Sequence, residues 1–322
     1  MDLGVHTPPL YDRSFDEAVS FLAERGVRAV EPGVGGNPGD DHLDRRRLLE
    51  DDDERAALTD LLDDHGMYLS ALATHNNPLH PDEDRAATAD RELREAITLA
   101  DHLDVQAVTT FSGLPAGSSD GSVPNWITAP WPPEHSAALE YQWEKAIGYW
   151  SEIADHAAAH DVDVAVEMHP NMLVYEPEGA IRLREATGDR IGTNFDPSHL
   201  YWQGIDVTTA IRYLGEYDAI SHVHAKDTGI YPDRKDRKGV LDNTPYPDEP
   251  ERSWIFRTVG YGHGAVHWKD VVSTLRMVGY DGAISIEHED SLMSSIEGLE
   301  KAIEFLSPII LESEEGDAYW AE

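Results

Sequence analysis

The chain has 322 residues, 40% of them hydrophobic, with 62 acidic and 25 basic residues for a formal net charge of −37. This apolar content sustains a sizeable core, but it never gathers into the run of about 18 residues needed to span a membrane, and no basic, apolar secretory leader opens the chain. Cysteine is absent, which excludes disulfides, thiolate zinc sites and cysteine nucleophiles.

Strand-like and helix-like runs alternate along the whole sequence. Leu3–His6 reads as a first strand, and Ser14 as the N-cap of an amphipathic run ending at Arg25-Gly26. Val27–Gly33 is a second strand, 34–53 a Gly/Asp-rich loop, and 54–65 a helix stopped by His65-Gly66. The third strand, Tyr68–Thr74, runs into His75-Asn-Asn-Pro-Leu-His80. A helix over 84–103 follows, with Ala89, Leu93, Ile97 and Ala100 at helical spacing. Val105–Phe111 is the fourth strand. The Gly/Ser/Pro-rich loop 112–134, carrying Trp126 and Trp131, is too long for a plain connector and reads as a lid or an oligomer contact. Helix 135–160, strand Val162–Met168, helix 178–187, strand 191–196, helix 206–215 and strand 219–225 come next. A second long loop, 227–266, precedes helix Val266–Val278, strand Gly282–Ile286 and helix 292–306.

Eight β–α repeats without a break in composition predict an α/β fold, a single (β/α)8 TIM barrel over 1–311 with long loops after the fourth and seventh strands and an acidic, frayed tail at 312–322. Residues at the carboxyl ends of barrel strands face the catalytic side. His6, Glu31, His75, Glu167, Asp196, His224 and Glu287 fall there. If Glu167, Asp196 and Glu287 converge, their mutual repulsion calls for a neutralising cation. An imidazole among oxygen donors suits Mn²⁺, Co²⁺, Fe²⁺ or Zn²⁺, with Mg²⁺ also admitted, and four protein ligands leave positions open for water or substrate.

The runs Glu167-Met-His-Pro, Asn194-Phe-Asp-Pro-Ser-His199, His222-Val-His-Ala-Lys-Asp227 and Ser285-Ile-Glu-His-Glu289 resemble the sugar phosphate isomerase/epimerase family of xylose-isomerase-like barrels. Thr74–Pro81 and Arg252–His263 extend the resemblance over nearly the whole chain. The resemblance implies metal ligands at Glu167, Asp196, His224 and Glu287, with Mn²⁺ the first choice of ion. It also implies that Glu167 and Glu287 move protons on opposite faces of a sugar through a metal-stabilised enediolate, and that His199 contacts a substrate oxygen. In the ketose 3-epimerases a second glutamate follows the strand-five glutamate by six residues. Here that position is Leu173, so the 3-epimerase pattern is incomplete.

His75, Arg257, His263 and Trp254 are further candidates for substrate contact. The Arg234–Lys238 cluster reads as an exposed charge run, with phosphate binding as the alternative. The expected activity is isomerisation or epimerisation of a sugar or inositol-derived ketone. The alternative is elimination from a 3-keto sugar or inosose at the same site; a non-catalytic sugar-binding subunit and an apurinic endonuclease rank lower. The scattered acids oppose a nucleic-acid partner and are tolerable where salt shortens screening to about 3 Å. The expected setting is therefore the cytoplasm of a high-salt organism, with a small carbohydrate as partner and a homodimer or homotetramer as the form of assembly.

Overall fold

The computed structural model describes residues 1–313 together with Gly316 and Trp320. Its central strands are β1 (Asp2–His6), β2 (Ala29–Glu31), β3 (Tyr68–Leu69), β4 (Leu72–Ala73), β5 (Ala107–Phe111), β6 (Asp163–Glu167), β7 (Ile191–Phe195) and β8 (Ile220–Ala225). Two further strands, β9 (Asp227–Ile230) and β10 (Trp254–Arg257), form a separate antiparallel pair, and β11 (Ala283–Ile286) returns to the centre. The nine central strands run parallel in the order β3-β2-β1-β11-β8-β7-β6-β5-β4. A bridge between Gly33, just beyond β2, and Ala73 of β4 closes the ring.

The strands β3 and β4 are two pieces of one predicted strand, interrupted at Ser70-Ala71, so the ring has eight staves and is a TIM barrel. Both faces of the strands are covered, by helices outside and packed side chains inside. This explains why β5 and β7 are buried at all five positions and read as continuous rather than alternating runs. Helix Phe15–Ala23 begins as expected at Ser14, whose side chain accepts from Glu17 N while the Glu17 carboxylate accepts from Ser14 N, a reciprocal capping box.

Three stretches differ from expectation. Within the predicted loop 34–53, Asp44 caps a helix over Arg45–Glu50; three consecutive arginines in a Gly/Asp-rich run gave no periodic apolar signal. The predicted loop 227–266 is built from β9, helix Pro232–Lys238, a 3-10 turn over Tyr246–Glu251 and β10. A short helix, Ser198–Tyr201, follows β7 directly. The frayed tail expected at 312–322 falls largely outside the described residues. Among the described residues no helix is long and apolar enough to cross a membrane.

Gly36 shows how tightly the loops behind the barrel mouth are packed. Its φ is +65°, and a Cβ there would lie 2.4 Å from the carbonyl oxygen of His75. Gly36→Ala is expected to cost about 1–3 kcal/mol in urea unfolding, because it adds left-handed strain to a backbone clash beneath His75. An unchanged unfolding midpoint would contradict that packing.

Candidate metal centre and active site

Alternation along the strands aims the polar groups. In β8, His222 and His224 are two apart and share the inward face, as do Asn194 and Asp196 across the end of β7. A register irregularity between Thr193 and Asn194 sets Asn194 opposite His222. Glu31 ends β2, Glu167 ends β6 and Glu287 follows β11, so acids from across the barrel meet these histidines. One donor atom each from Glu167, Asp196, His224 and Glu287 lies within 4.8 Å of all the others. Glu31/His222/His224 and Glu167/His169/His199 form two overlapping clusters of the same kind.

His224 links the halves of the site. Its Nε2 lies 3.0 and 2.9 Å from the two oxygens of Glu31, while its Nδ1 lies 3.1 Å from Glu287 Oε2 and 3.4 Å from Glu167 Oε2. Although burial opposes it, Glu31 on one side and Glu287 and Glu167 on the other raise the His224 pKa well above the ordinary value; a cation bound at Nδ1 would displace the proton there and leave Nε2 donating to Glu31. Glu31 is fully buried; it also sits 2.9 Å from His222 Nε2 and accepts from Thr109 Oγ1 at 2.7 Å. Such an outer carboxylate fixes the tautomer and orientation of a metal-ligating histidine. Glu31→Gln is therefore expected to weaken Mn²⁺ affinity by about 10–100-fold with every candidate ligand intact. Titration of the metal-stripped protein reads this directly, and unchanged affinity would remove Glu31 from the account.

Glu167 is equally constrained. Asn194 Nδ2 donates to its Oε2 at 2.7 Å, His199 Nε2 meets its Oε1 at 3.1 Å, and His75 Nε2 lies 3.2 Å from Oε2. The same His199 nitrogen is 3.1 Å from Asp196 Oδ2, and Ser198 donates to Asp196 through both its backbone N–H and its hydroxyl. Lys226, nearly fully buried, places Nζ 2.7 Å from Glu287, 3.0 Å from Asp196 and 3.0 Å from Glu289.

Burial alone would raise the carboxyl pKa values, but the imidazoles around Glu31 and Glu167 and the ammonium beside Asp196 and Glu287 hold all four below the ordinary range. Burial would likewise lower His199, yet Asp196 and Glu167 raise it to about 9. His169 goes the other way, to about 3, through burial and the neighbouring His199. Four carboxylates (Glu167, Asp196, Glu287 and Glu289) thus share the Lys226 ammonium and the His199 imidazolium, an excess of negative charge. The donor set and this unbalanced charge fit a divalent cation held by Glu167, Asp196, Glu287 and the Nδ1 of His224.

Of these four, Glu167 and Glu287 open onto a cavity of about 570 Å³ whose lining also includes His6, His75, Phe111 and Lys226, with Asp196 and His224 fully buried behind them. His75 is therefore at the cavity wall, whereas fully buried His199 bridges Glu167 and Asp196 behind it. Arg257, His263 and Trp254 lie elsewhere. The Arg257 Nε donates to Asp290, His263 Nδ1 lies 2.7 Å from Asp227 Oδ1, and Trp254 stacks on Trp202. The side chains at the two ends of β10 are thus engaged away from this cavity, Arg257 with Asp290 and Trp254 with Trp202 and the Val240 carbonyl. The Arg234–Lys238 cluster forms part of a short surface helix in which Arg234 and Lys235 pair with Asp233 and Asp236. Sequence reasoning missed Lys226 and the roles of Glu31, Asn194 and His222. The available signal was their place, polar residues at inward-facing strand positions.

Fold and site together define a parallel barrel with a buried acid/histidine cluster at the carboxyl ends of its strands. The chain belongs to the xylose isomerase-like TIM barrel family, whose pattern matches residues 19–309. It is 38% identical over 315 residues to the uncharacterized protein YfiH of Bacillus subtilis, covering 96% of this chain and 99% of that one. In three dimensions it is similar to the probable 3-DHS dehydratase AsbF from Bacillus anthracis, with a TM-score of 0.67, 17% identity and coverage of 95% and 99% of the two chains. It is also similar to the IolI protein with a bound zinc atom, with a TM-score of 0.66, 18% identity and coverage of 96% and 98%. Sugar 3-epimerases share the fold as well.

Proposed function

We propose that this chain is a divalent-metal-dependent isomerase or epimerase of a small sugar or an inositol-derived ketone, with Glu167 and Glu287 as its proton carriers. One observation carries the reading: buried Glu167 and half-buried Glu287 flank the same imidazole nitrogen at the wall of one cavity, each held by fixed partners. The zinc in IolI supports a divalent ion. Mn²⁺ is the first choice here, with Mg²⁺, Co²⁺, Fe²⁺ and Zn²⁺ compatible with the same donors.

Glu167, Asp196, His224 and Glu287 would hold the ion, which when bound lowers the cost of negative charge developing on a substrate oxygen. The protein's own groups do the rest. Asn194 and His199 hold Glu167 in one orientation, and Lys226 does the same for Glu287. One carboxylate takes the proton from the carbon next to the substrate carbonyl; in an epimerisation the other returns a proton to the opposite face of that same carbon, and in an isomerisation a proton returns to the former carbonyl carbon while the adjacent hydroxyl proton passes to the former carbonyl oxygen. His75 and His6 offer hydrogen bonds to hydroxyls, Phe111 supplies an apolar wall, and a cavity of about 570 Å³ suits a single sugar ring.

Incubating the Mn²⁺-loaded protein with free ketoses and inososes in deuterated water tests the assignment. Deuterium appearing at the carbon α to the carbonyl, with the carbon skeleton and oxygens retained, is the expected result. Loss of water would convert the assignment to a dehydratase. If no substrate in the panel exchanged or eliminated, the proton-transfer reading would fall.

A further inference from the structure

The cavity at the carboxyl ends of the strands is poorly equipped to hold an anion. Among the described residues no arginine lines it, and its one lysine, Lys226, is 1% exposed and paired with Asp196, Glu287 and Glu289. Backbone donors are scarce as well. Pro8, Pro9, Pro38 and Pro170 all line the cavity, and proline has no N–H to offer. Phosphate sites are otherwise built from N–H groups at glycine-rich turns and helix N-termini, or from arginine forks.

The imidazoles favour hydroxyls over anions. His6 Nδ1 donates to the Glu31 carbonyl at 3.0 Å, and His169 Nδ1 donates to the Pro170 carbonyl at 2.7 Å. A neutral ring with its hydrogen on Nδ1 presents Nε2 as an acceptor. Neither Nε2 has a hydrogen-bond partner among the described residues, and neither is sealed from solvent. A hydroxyl can donate to such a nitrogen, whereas the oxygens of a phosphate dianion or a carboxylate only accept.

Glu289 adds charge of the wrong sign for an anion. Its side chain is 49% exposed, lines the cavity beside Glu287 and His288, and accepts from Lys226 at 3.0 Å. A divalent ion would offset Glu167, Asp196 and Glu287. Glu289 lies outside that ligand set, so its charge still faces whatever enters.

We infer that the substrate is uncharged, a free sugar or cyclitol ketone rather than a phosphate ester or a sugar acid, and that Glu289 enforces the choice. This rests on the sugar-directed reading of the site and adds the charge class of the ligand. A phosphate attached to a sugar held at Glu167 and Glu287 would meet prolines, acceptor nitrogens and an unneutralised carboxylate, and like charge in a partly enclosed cavity is costly. An uncharged polyol loses nothing there, because its hydroxyls donate to His6, His169 and Glu289 alike.

Calorimetric titration of the Mn²⁺-loaded protein, at the lowest salt that keeps it folded, tests the inference with matched pairs. The probes are D-fructose, D-tagatose and D-xylulose, each against its terminal phosphate ester. At least one free sugar is expected to bind about 10-fold or more tighter than its ester. Glu289→Gln keeps an acceptor for Lys226 and removes the charge, and is expected to shrink that ratio by about 10-fold. A residue that merely braced Lys226 would change both affinities together and leave the ratio where it was. Asn37→Arg, which supplies the cation this wall lacks without touching Glu289, is expected to shift the ratio in the same direction. An ester that binds as tightly as its free sugar, or tighter, overturns the inference and leaves the sugar-directed function standing. A gap that neither variant narrows overturns the role given to Glu289 and to the charge of the wall. Failure of every free sugar and every ester to bind overturns the inference and the sugar-directed function together.

Discussion

Glu287→Gln is expected to fold normally and to lose turnover by at least about 10³-fold, the combined effect of a missing proton carrier and a weakened cation site. The fold survives because Glu287 lies just beyond the end of β11, where its side chain supports the cavity rather than the core. Lys226 keeps Asp196 and Glu289 as ionic partners after the change, so no buried charge is stranded. The amide can neither carry the proton nor match a carboxylate as a ligand. Turnover measured beside far-UV circular dichroism checks both halves of the expectation. Full activity in a folded variant would remove Glu287 from the chemistry.

Asp227→Ala is expected to produce the largest loss of stability, about 3–5 kcal/mol, with a fall in melting temperature of roughly 10 °C. Asp227 is fully buried and ends the His222–Asp227 run. Its carboxylate accepts from the backbone N–H groups of Thr228, Gly260, Gly262 and His263, from Trp268 Nε1, and faces His263 Nδ1 at 2.7 Å. One side chain thus ties β9 to the turn after β10 and to helix Ala265–Met277. Removing it leaves several donors without partners in one place, and their costs add within a connected network. Asp227→Asn keeps an acceptor oxygen and is expected to lose about half as much. A melting point within two or three degrees of wild type for Asp227→Ala would show that water replaces the carboxylate at little cost.

The barrel was legible because the long helices around it carried a local cap or an apolar stripe, signals that the short helices Ser198–Tyr201 and Pro232–Lys238 lack. Ser14 is one case: its capping box is encoded within four residues. The ends of β6, β7 and β11 were also legible, since a carboxylate closing an apolar run stands out whatever surrounds it. The pairing of Glu31 with His222 and His224 was not, because it joins groups 191 and 193 positions apart and depends on the barrel closing. Lys226 looked like an ordinary polar residue after a strand, and only burial among three carboxylates reveals its role. Arg257, His263 and Trp254 were the converse. Chemistry-bearing residues in a long loop attract attention, but the side of β10 that faces the cavity is set by its pairing with β9, which leaves Arg257 on Asp290.

The proposed chemistry requires that Glu167, Asp196, His224 and Glu287 hold a single divalent ion. A crystal of the Mn²⁺-loaded protein, measured at the manganese absorption edge, tests it most directly. The predicted result is one anomalous peak per chain, about 2.0–2.5 Å from His224 Nδ1 and from a carboxylate oxygen of each of the three acids. A peak among Glu31, His222 and His224, a peak among Glu167, His169 and His199, or no peak at all would contradict it.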